Sequence, residues 1–380
     1  MKHAAQNFLQ RLAIEQPIFL APMAGTSTPQ LAAAVSNAGG LGILALGPLS
    51  PAETRAAILK VRRLTDKPFG VGCTLLMPGA NENAEVALEL QVPVINFSLG
   101  KGDWLIKRCH AYGGKTIATV TTAKHALAAQ AQGADVIMAT GHEAAAHGGD
   151  VTSLVLVPSL VDSIDVPIIA CGGFADGRGL LAALALGASG IAMGSRFATC
   201  FESPVHQNTK DAVVKKDQHA TIYSSNFDGL PARYMQTPTA IQLTKKPMNF
   251  FVSAWQAMLA ARELNISLWK IMAGLIVEPT KIRLLACFGA ATPRLKAATQ
   301  DGDLKKGMQF IGQSQGLIND IPTAQVLIER IIAEAQQQYQ TVNQALNTDP
   351  VISDTAHIIP ISDADQIKDE SETHNIEQVI

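Results

Sequence analysis

Charge and aromatic rings are both scarce in this 380-residue chain: 16% of its residues are charged and 5% are aromatic. Lys plus Arg number 30 against 32 Asp plus Glu, a formal net charge of −2. A near-neutral chain lacks the basic footprint of a nucleic-acid binder. Cysteine is scarce too. The five, Cys73, Cys109, Cys171, Cys200 and Cys287, form no CxxC pair and are odd in number. That argues against a disulfide scaffold or a zinc site, and for buried thiols in a reducing cytosol. The N-terminal MKHAAQNFLQRLAIEQPIF has no apolar core of the kind a signal peptide needs. The longest apolar runs, such as Leu180 to Met193, are broken by Gly and Ser and fall short of the about 20 residues that cross a bilayer. The expectation is a soluble cytoplasmic protein.

What is present is apolar surface. Hydrophobic residues make up 47% of the chain, enough to offset the ordering entropy of folding. They fall in eight short runs, beginning at Pro17, Leu41, Phe69, Pro93, Lys115, Asp135, Pro167 and Ser189. Continuous apolar runs, rather than strict alternation, suit strands buried on both faces of a parallel sheet. Between them lie Ala-rich helix candidates. Thr28 to Ala38 and Ser50 to Leu64 each open on a capping hydroxyl followed by Pro. Thr122 to Gln132 and Gly177 to Leu186 each stop before a glycine, Gly133 and Gly187. Eight βα units predict a closed (β/α)₈ TIM barrel, with an open doubly wound sheet as the alternative.

The pattern changes after Arg196. The expected organisation is a barrel over residues 1–202 and a helical cap over 203–304. A helical segment over 305–340 then returns to the barrel, and residues 341–380 form an acidic, disordered tail. From Asp349 onward eight acidic side chains face Lys368 alone, a local charge of −7 that leaves +5 on the rest.

Sites in such barrels lie at the C-terminal ends of the strands, with phosphate held after strands 7 and 8. The loops Ala170-Cys171-Gly172-Gly173-Phe174-Ala175-Asp176-Gly177-Arg178-Gly179 and Ala192-Met193-Gly194-Ser195-Arg196 stand there. Their glycines let backbone N–H groups approach a phosphate, and Ser195 adds a hydroxyl; the competing reading is two ordinary βα turns. Neither loop is a P-loop or a dinucleotide fingerprint. After strand 6, His147 precedes a glycine pair and is a candidate base. His142-Glu143 with His147 is not HExxH, because the second His falls off the helical face that binds zinc, so no metal is expected. After strand 1, Pro22 and Met23 offer an apolar surface to a planar ring, or simply pack the turn.

Taken together these segments are similar to the nitronate monooxygenase family, formerly called 2-nitropropane dioxygenases. Pro17 to Gly47 resembles its opening, GHEAAAHGGD from Gly141 its E-x-x-x-H-x-G segment, Val166 to Phe197 its flavin-phosphate region and FIGQSQGLI from Phe310 its C-terminal motif. The resemblance spans Pro17 to Ala333 and implies an FMN-binding barrel. It places Gly172, Gly173, Met193, Gly194 and Ser195 at the cofactor, chiefly at its phosphate, and Pro22, Met23 and Gly72 beside its ring system. His147 falls near the flavin as the catalytic residue, with Gln313 and Gly316 closing the pocket. Two departures stand out: Gly70-Val71-Gly72 replaces a Gly-Val-Asn whose Asn contacts flavin, and Ala145-Ala146 stands where the family commonly has Gly-Gly or Ala-Gly before the histidine. The implied activity is oxidation of alkyl nitronates by oxygen. Rival readings are an NAD(P)H:quinone reductase, an enoyl-thioester reductase and a non-catalytic flavin-binding protein, as a monomer or homodimer with no nucleic-acid or membrane partner.

Overall fold

Strands that are apolar on both faces need cover on both faces, and all eight predicted runs find it. In the computed structural model, which describes residues 8–47, 49–77, 79–145, 147–245, 255, 287 and 291–347, they form β1 (Ile18–Leu20), β2 (Gly42–Ala45), β3 (Phe69–Thr74), β4 (Val94–Ser98), β5 (Lys115–Val120), β6 (Val136–Thr140), β7 (Ile168–Cys171) and β8 (Gly190–Met193). From β2 to β8 each strand pairs in parallel with the next. β1 pairs with β8, Ile18 opposite Ile191, and a parallel bridge joins Phe19 to Leu41. The sheet is therefore a closed barrel, and the open-sheet alternative is excluded.

Alternation along each strand builds two cores. Phe19, Ile43, Val94, Ile117, Val136, Met138, Ile169 and Ala192 cluster together, and Phe8, Leu12 and Ile14 from the N-terminal segment pack onto them. The intervening residues, among them Leu20, Val71, Ile95, Ile137, Ala170 and Met193, pack into the second core with the helices. Full burial of each large side chain contributes about 1.5–3 kcal/mol relative to exposure.

The helices are α1 (Pro29–Asn37), α2 (Pro51–Leu64), α3 (Ala80–Glu89), α4 (Asp103–His110), α5 (Ala123–Ala131), α6 (Ser153–Val161) and α7 (Gly177–Ala185). Ser50 caps α2 in a reciprocal box with Glu53. Gly133 and Gly187 close α5 and α7 at φ of +95° and +92°, a backbone state that favours glycine. The internal Pro158 of α6 conceals that helix from pattern reading.

Beyond the barrel come the short α8 (Ser195–Ala198), α9 (Gln207–Val214) and α10 (Pro238–Thr244). The cap segment also holds an antiparallel ribbon, β9 (Thr221–Ser224) and β10 (Ala232–Met235), which the helical expectation did not include. Tyr234 bridges onward to Phe310, so the chain at 309–311 runs along the ribbon. A helix at 291–299 follows. Most of the cap between 246 and 290, and the acidic tail from 348 onward, lie outside the described residues. Contacts group Met1–Tyr339 as one compact unit and Gln340–Ile380 as another.

The long α11 (Ala324–Asn347) buries Ala324, Leu327, Ile328, Ile331 and Ala335 in the helix-facing core. Its start is fixed to the β8 end. Glu202 accepts the Ala324 N–H, and buried Arg196 donates to Asp320, which Arg330 also engages.

Candidate active site

The C-terminal ends of the strands are drawn together by contacts between loops. Ser27 accepts the Met23 N–H at 3.0 Å and donates to Ala21 O at 3.0 Å, folding the β1 loop back on itself. That loop lies over β3 and against β8. A Cβ at Gly72 would stand 2.3 Å from Pro22 Cβ, and one at Gly194 would stand 3.4 Å from Met23 Sδ. Pro22 thus occupies the space an Asn at position 72 would need. In the neighbouring register position, buried Asn96 donates to Thr119 Oγ1 at 2.8 Å.

The β7 loop turns sharply through Gly172 and Gly173, with φ of +101° and +86°. A side chain at Gly172 would come within 3.1 Å of Gly141 O and 3.2 Å of Ala144 Cβ. Ser153 Oγ stands 2.8 Å from Gly172 O and 3.1 Å from a Glu143 carboxylate oxygen. The same carboxylate accepts the Ser153 N–H at the start of α6. At β8, the buried Ser195 Oγ accepts the Gly312 N–H at 2.9 Å. The Gln313 N–H donates to Glu143 O at 2.9 Å, which seats Gln313 on the β6 loop through its own backbone.

Of the residues expected at the cofactor, Pro22, Met23, Gly72, Gly172, Gly173, Gly194, Ser195 and Gln313 therefore line one continuous set of strand-end loops. Two lie elsewhere. The Met193 side chain is buried among helix-facing residues, and only its carbonyl reaches the β1 loop, accepting the Ala21 N–H. Gly316 is exposed and backs onto Gln218.

The β6 loop is held from the other side by the cap ribbon. Arg233 N–H donates to Ala145 O at 3.0 Å, Arg233 Nη2 to His142 O at 3.1 Å and Tyr223 Oη to Gly148 O at 3.2 Å. The Arg233 guanidinium lies 5.3 Å from the Tyr223 ring centroid. Burial pushes its pKa down, against the opposing pull of Tyr223 and Glu143. His142 packs on Tyr223 and pairs Nδ1 with Gly149 O, while Glu143 caps α6. Both side chains of the disfavoured metal reading are thus committed to structural work.

His147 is the point at which loop and cap meet. Its Nε2 stands 2.8 Å from Asp228 Oδ2. The Asp228 side chain is 1% exposed and that of His147 is 24% exposed. The second Asp228 oxygen accepts Tyr234 Oη–H at 3.1 Å and Leu230 N–H at 3.3 Å. Burial, reinforced by the Asp228 charge, pushes the Tyr234 pKa far up, so its hydroxyl remains a donor. Asp228, Tyr223, Arg233 and Tyr234 were not singled out from the sequence. The available signal was Asp228-Gly229, a turn dipeptide between two short β-branched or aromatic runs.

The nitronate monooxygenase family profile matches residues 6–334. The chain belongs to the nitronate monooxygenase family. It is an oxidoreductase of that family with a (β/α)₈ barrel. It is 35% identical over 343 residues to the (3aS,4S,5R,7aS)-5-hydroxy-7a-methyl-1-oxo-octahydro-1H-indene-4-carboxyl-CoA dehydrogenase of Mycobacterium tuberculosis, covering 87% of this chain and 96% of that one. Among solved structures, FabK from Thermotoga maritima superposes with a TM-score of 0.75 at 35% identity, over 89% of this chain and 98% of the other. Nitroalkane oxidase from Streptomyces ansochromogenes gives 0.73 at 26% identity, over 89% and 99%. Among the described residues, no helix is long and apolar enough to cross a membrane.

Proposed function

We propose that the protein is an FMN-dependent oxidoreductase acting on a carbon acid, a substrate whose reacting carbon lies α to an electron-withdrawing group. The observation that carries this reading is His147, backed by the buried Asp228 carboxylate 2.8 Å away and set among the strand-end loops. An imidazole held by a carboxylate is a proton carrier with a defined orientation.

The strand-end loops fit a flavin. Gly172 and Gly173 adopt positive φ, which opens a backbone turn of the kind that receives a phosphate. The first N–H groups of α8, at Ser195 and Arg196, have no acceptor within their own helix. Pro22 and Met23 supply an apolar wall over Gly72 and Gly194. Gly172, Gly173, Gly194 and Ser195 would hold the phosphate, and Pro22 and Met23 would flank the ring. When bound, FMN supplies hydride or single-electron transfer. His147 moves the proton at the α-carbon, and the cap ribbon keeps the β6 loop that carries it in place.

We favour an acyl-CoA thioester as the carbon acid. A relative that covers 87% of this chain is a carboxyl-CoA dehydrogenase. Residues 203–310 also carry fourteen Lys and Arg against seven Asp and Glu, a bias that suits a ligand bearing several phosphates. The enoyl-thioester reductase reading is the same chemistry run in the reducing direction, with NAD(P)H as donor. A second reading, oxidation of alkyl nitronates by oxygen, is favoured by the family match and by the similarity to nitroalkane oxidase. In it His147 orients the nitronate oxygens, or takes the proton α to the nitro group when the neutral nitroalkane is the substrate.

The test measures flavin content and turnover of the purified protein and of His147→Ala. Substrates are a saturated and an enoyl acyl-CoA, nitroethane and ethyl nitronate, with and without NADH. A yellow protein that turns over a thioester, with a loss of about 100-fold or more in His147→Ala, is the expected result. Turnover of nitronate alone selects the second reading. A protein that takes up no FMN, or a His147→Ala variant with undiminished turnover, overturns the proposal.

A further inference from the structure

We propose that Asn96 binds the ring system of the flavin, its side-chain carbonyl oxygen accepting the N–H that the oxidised ring carries on its pyrimidine side. This role rests on reading the strand-end loops as an FMN site. Along β4 the side chains alternate. Val94 lies in the inner core with Ile43, Ile117, Met138 and Ile169, whereas Ile95 and Phe97 lie in the helix-facing one. Asn96 therefore points into the barrel, one layer nearer the strand ends than Val94. It is 2% exposed and stands in register with Gly72 of β3. An amide above an apolar layer costs stability unless both of its ends are hydrogen-bonded.

The nitrogen end is satisfied. Nδ2 stands 2.8 Å from Thr119 Oγ1 and 3.3 Å from Ile117 O, both on β5. A backbone carbonyl only accepts, so the end of the amide that faces β5 is the nitrogen. Oδ1 then faces away from β5, and it accepts no hydrogen bond from the described residues. Unlike Asn83 Oδ1 or Gln315 Oε1, which are sealed off without a partner, it keeps an opening. On the β3 side Gly72 has no side chain, and the Pro22 ring lies over it. A proline has no N–H, and its ring offers only carbon, so nothing in that wall can donate to the amide oxygen. A planar ligand resting on Pro22 and carrying an N–H at its edge completes the amide; an ordered water is the rival partner.

The contact is read by titrating the full chain, stripped of flavin, with FMN and with its N3-methyl derivative, which lacks that N–H. The wild type should bind FMN about 10-fold more tightly than the methylated flavin. Asn96→Leu, similar in shape and apolar like the layer beneath, should weaken FMN binding by a similar factor and abolish the preference. In ¹H–¹⁵N NMR of the protein loaded with ¹⁵N-labelled FMN, the ring N–H proton should lie downfield in the wild type. It should return toward its free-flavin position in Asn96→Leu. Equal affinity of the wild type for the two flavins overturns the proposal, and so does an Asn96→Leu variant that keeps both the preference and the shift. A water as the partner of Oδ1 predicts those outcomes, and either leaves the FMN reading standing. The comparison of the two flavins needs only the wild type, so it decides even where Asn96→Leu does not fold. A wild type that takes up neither flavin overturns the FMN reading, and the role of Asn96 falls with it.

Discussion

At the scale of single residues, burial separates side chains that can react from those that cannot. Cys171 ends β7 at the barrel mouth, yet burial pushes its thiol up to about 11. The thiolate is the reactive form, so Cys171 should resist iodoacetamide at neutral pH in the folded protein and label fully once unfolded. Gly172 has no substitute: alanine there would need φ near +101° and a contact 3.1 Å from Gly141 O. Gly172→Ala should lower stability by roughly 1–3 kcal/mol in urea titration and reduce FMN retained on purification. Asp135 carries a different burden. Burial raises its pKa, but hydrogen bonds from His110 and Thr116 outweigh that and hold it below the usual carboxylate value. Its contribution to stability is present above the unfolded value of about 3.9 and is lost as pH falls through the lower folded value. Asp135→Asn should therefore destabilise the protein at neutral pH and flatten the acid limb of its stability curve.

At the scale of elements, the ribbon's hold on the β6 loop is the feature with most consequence. Arg233 supplies two of its hydrogen bonds while burying a guanidinium. Arg233→Met relieves the desolvation of that charge, so the change in global stability should stay below about 2 kcal/mol. Amide exchange over His142 to Gly149 should nevertheless accelerate, and unchanged protection there would show that the loop stands without the ribbon. This element also marks where sequence reading stopped. The eight strands were legible because each is a short, mostly apolar run set between helical stretches. The tight turn after β7 was legible because positive φ favours glycine, as at Gly172 and Gly173. Asp228 and Arg233 were not, because their meaning arises from a contact between segments about eighty residues apart, and a short amphipathic ribbon in a basic region reads as a solvated face. Met193 shows the converse: it stands at the right strand end, but strand alternation points its side chain outward.

At the scale of the whole molecule, barrel and C-terminal segment depend on each other. Arg196, with a side chain 2% exposed, relies on Asp320 for its charge partner, and Arg330 of α11 shares that carboxylate. Asp320→Ala leaves the Arg196 charge buried and unpaired. Because Asp320 is itself partly exposed, its loss should fall below the about 3–5 kcal/mol of a fully buried pair, as a lowered midpoint in denaturant unfolding. On the proposed reading, the barrel supplies the loops for a flavin, the cap supplies the carboxylate behind the base, and turnover requires both. That central claim is tested most directly by mixing the FMN-loaded protein anaerobically with an acyl-CoA deuterated at the α-carbon and following the flavin absorbance. The account predicts bleaching that is slower than with the protiated thioester and nearly abolished in His147→Ala. Bleaching that is indifferent both to the deuterium and to His147 would contradict it.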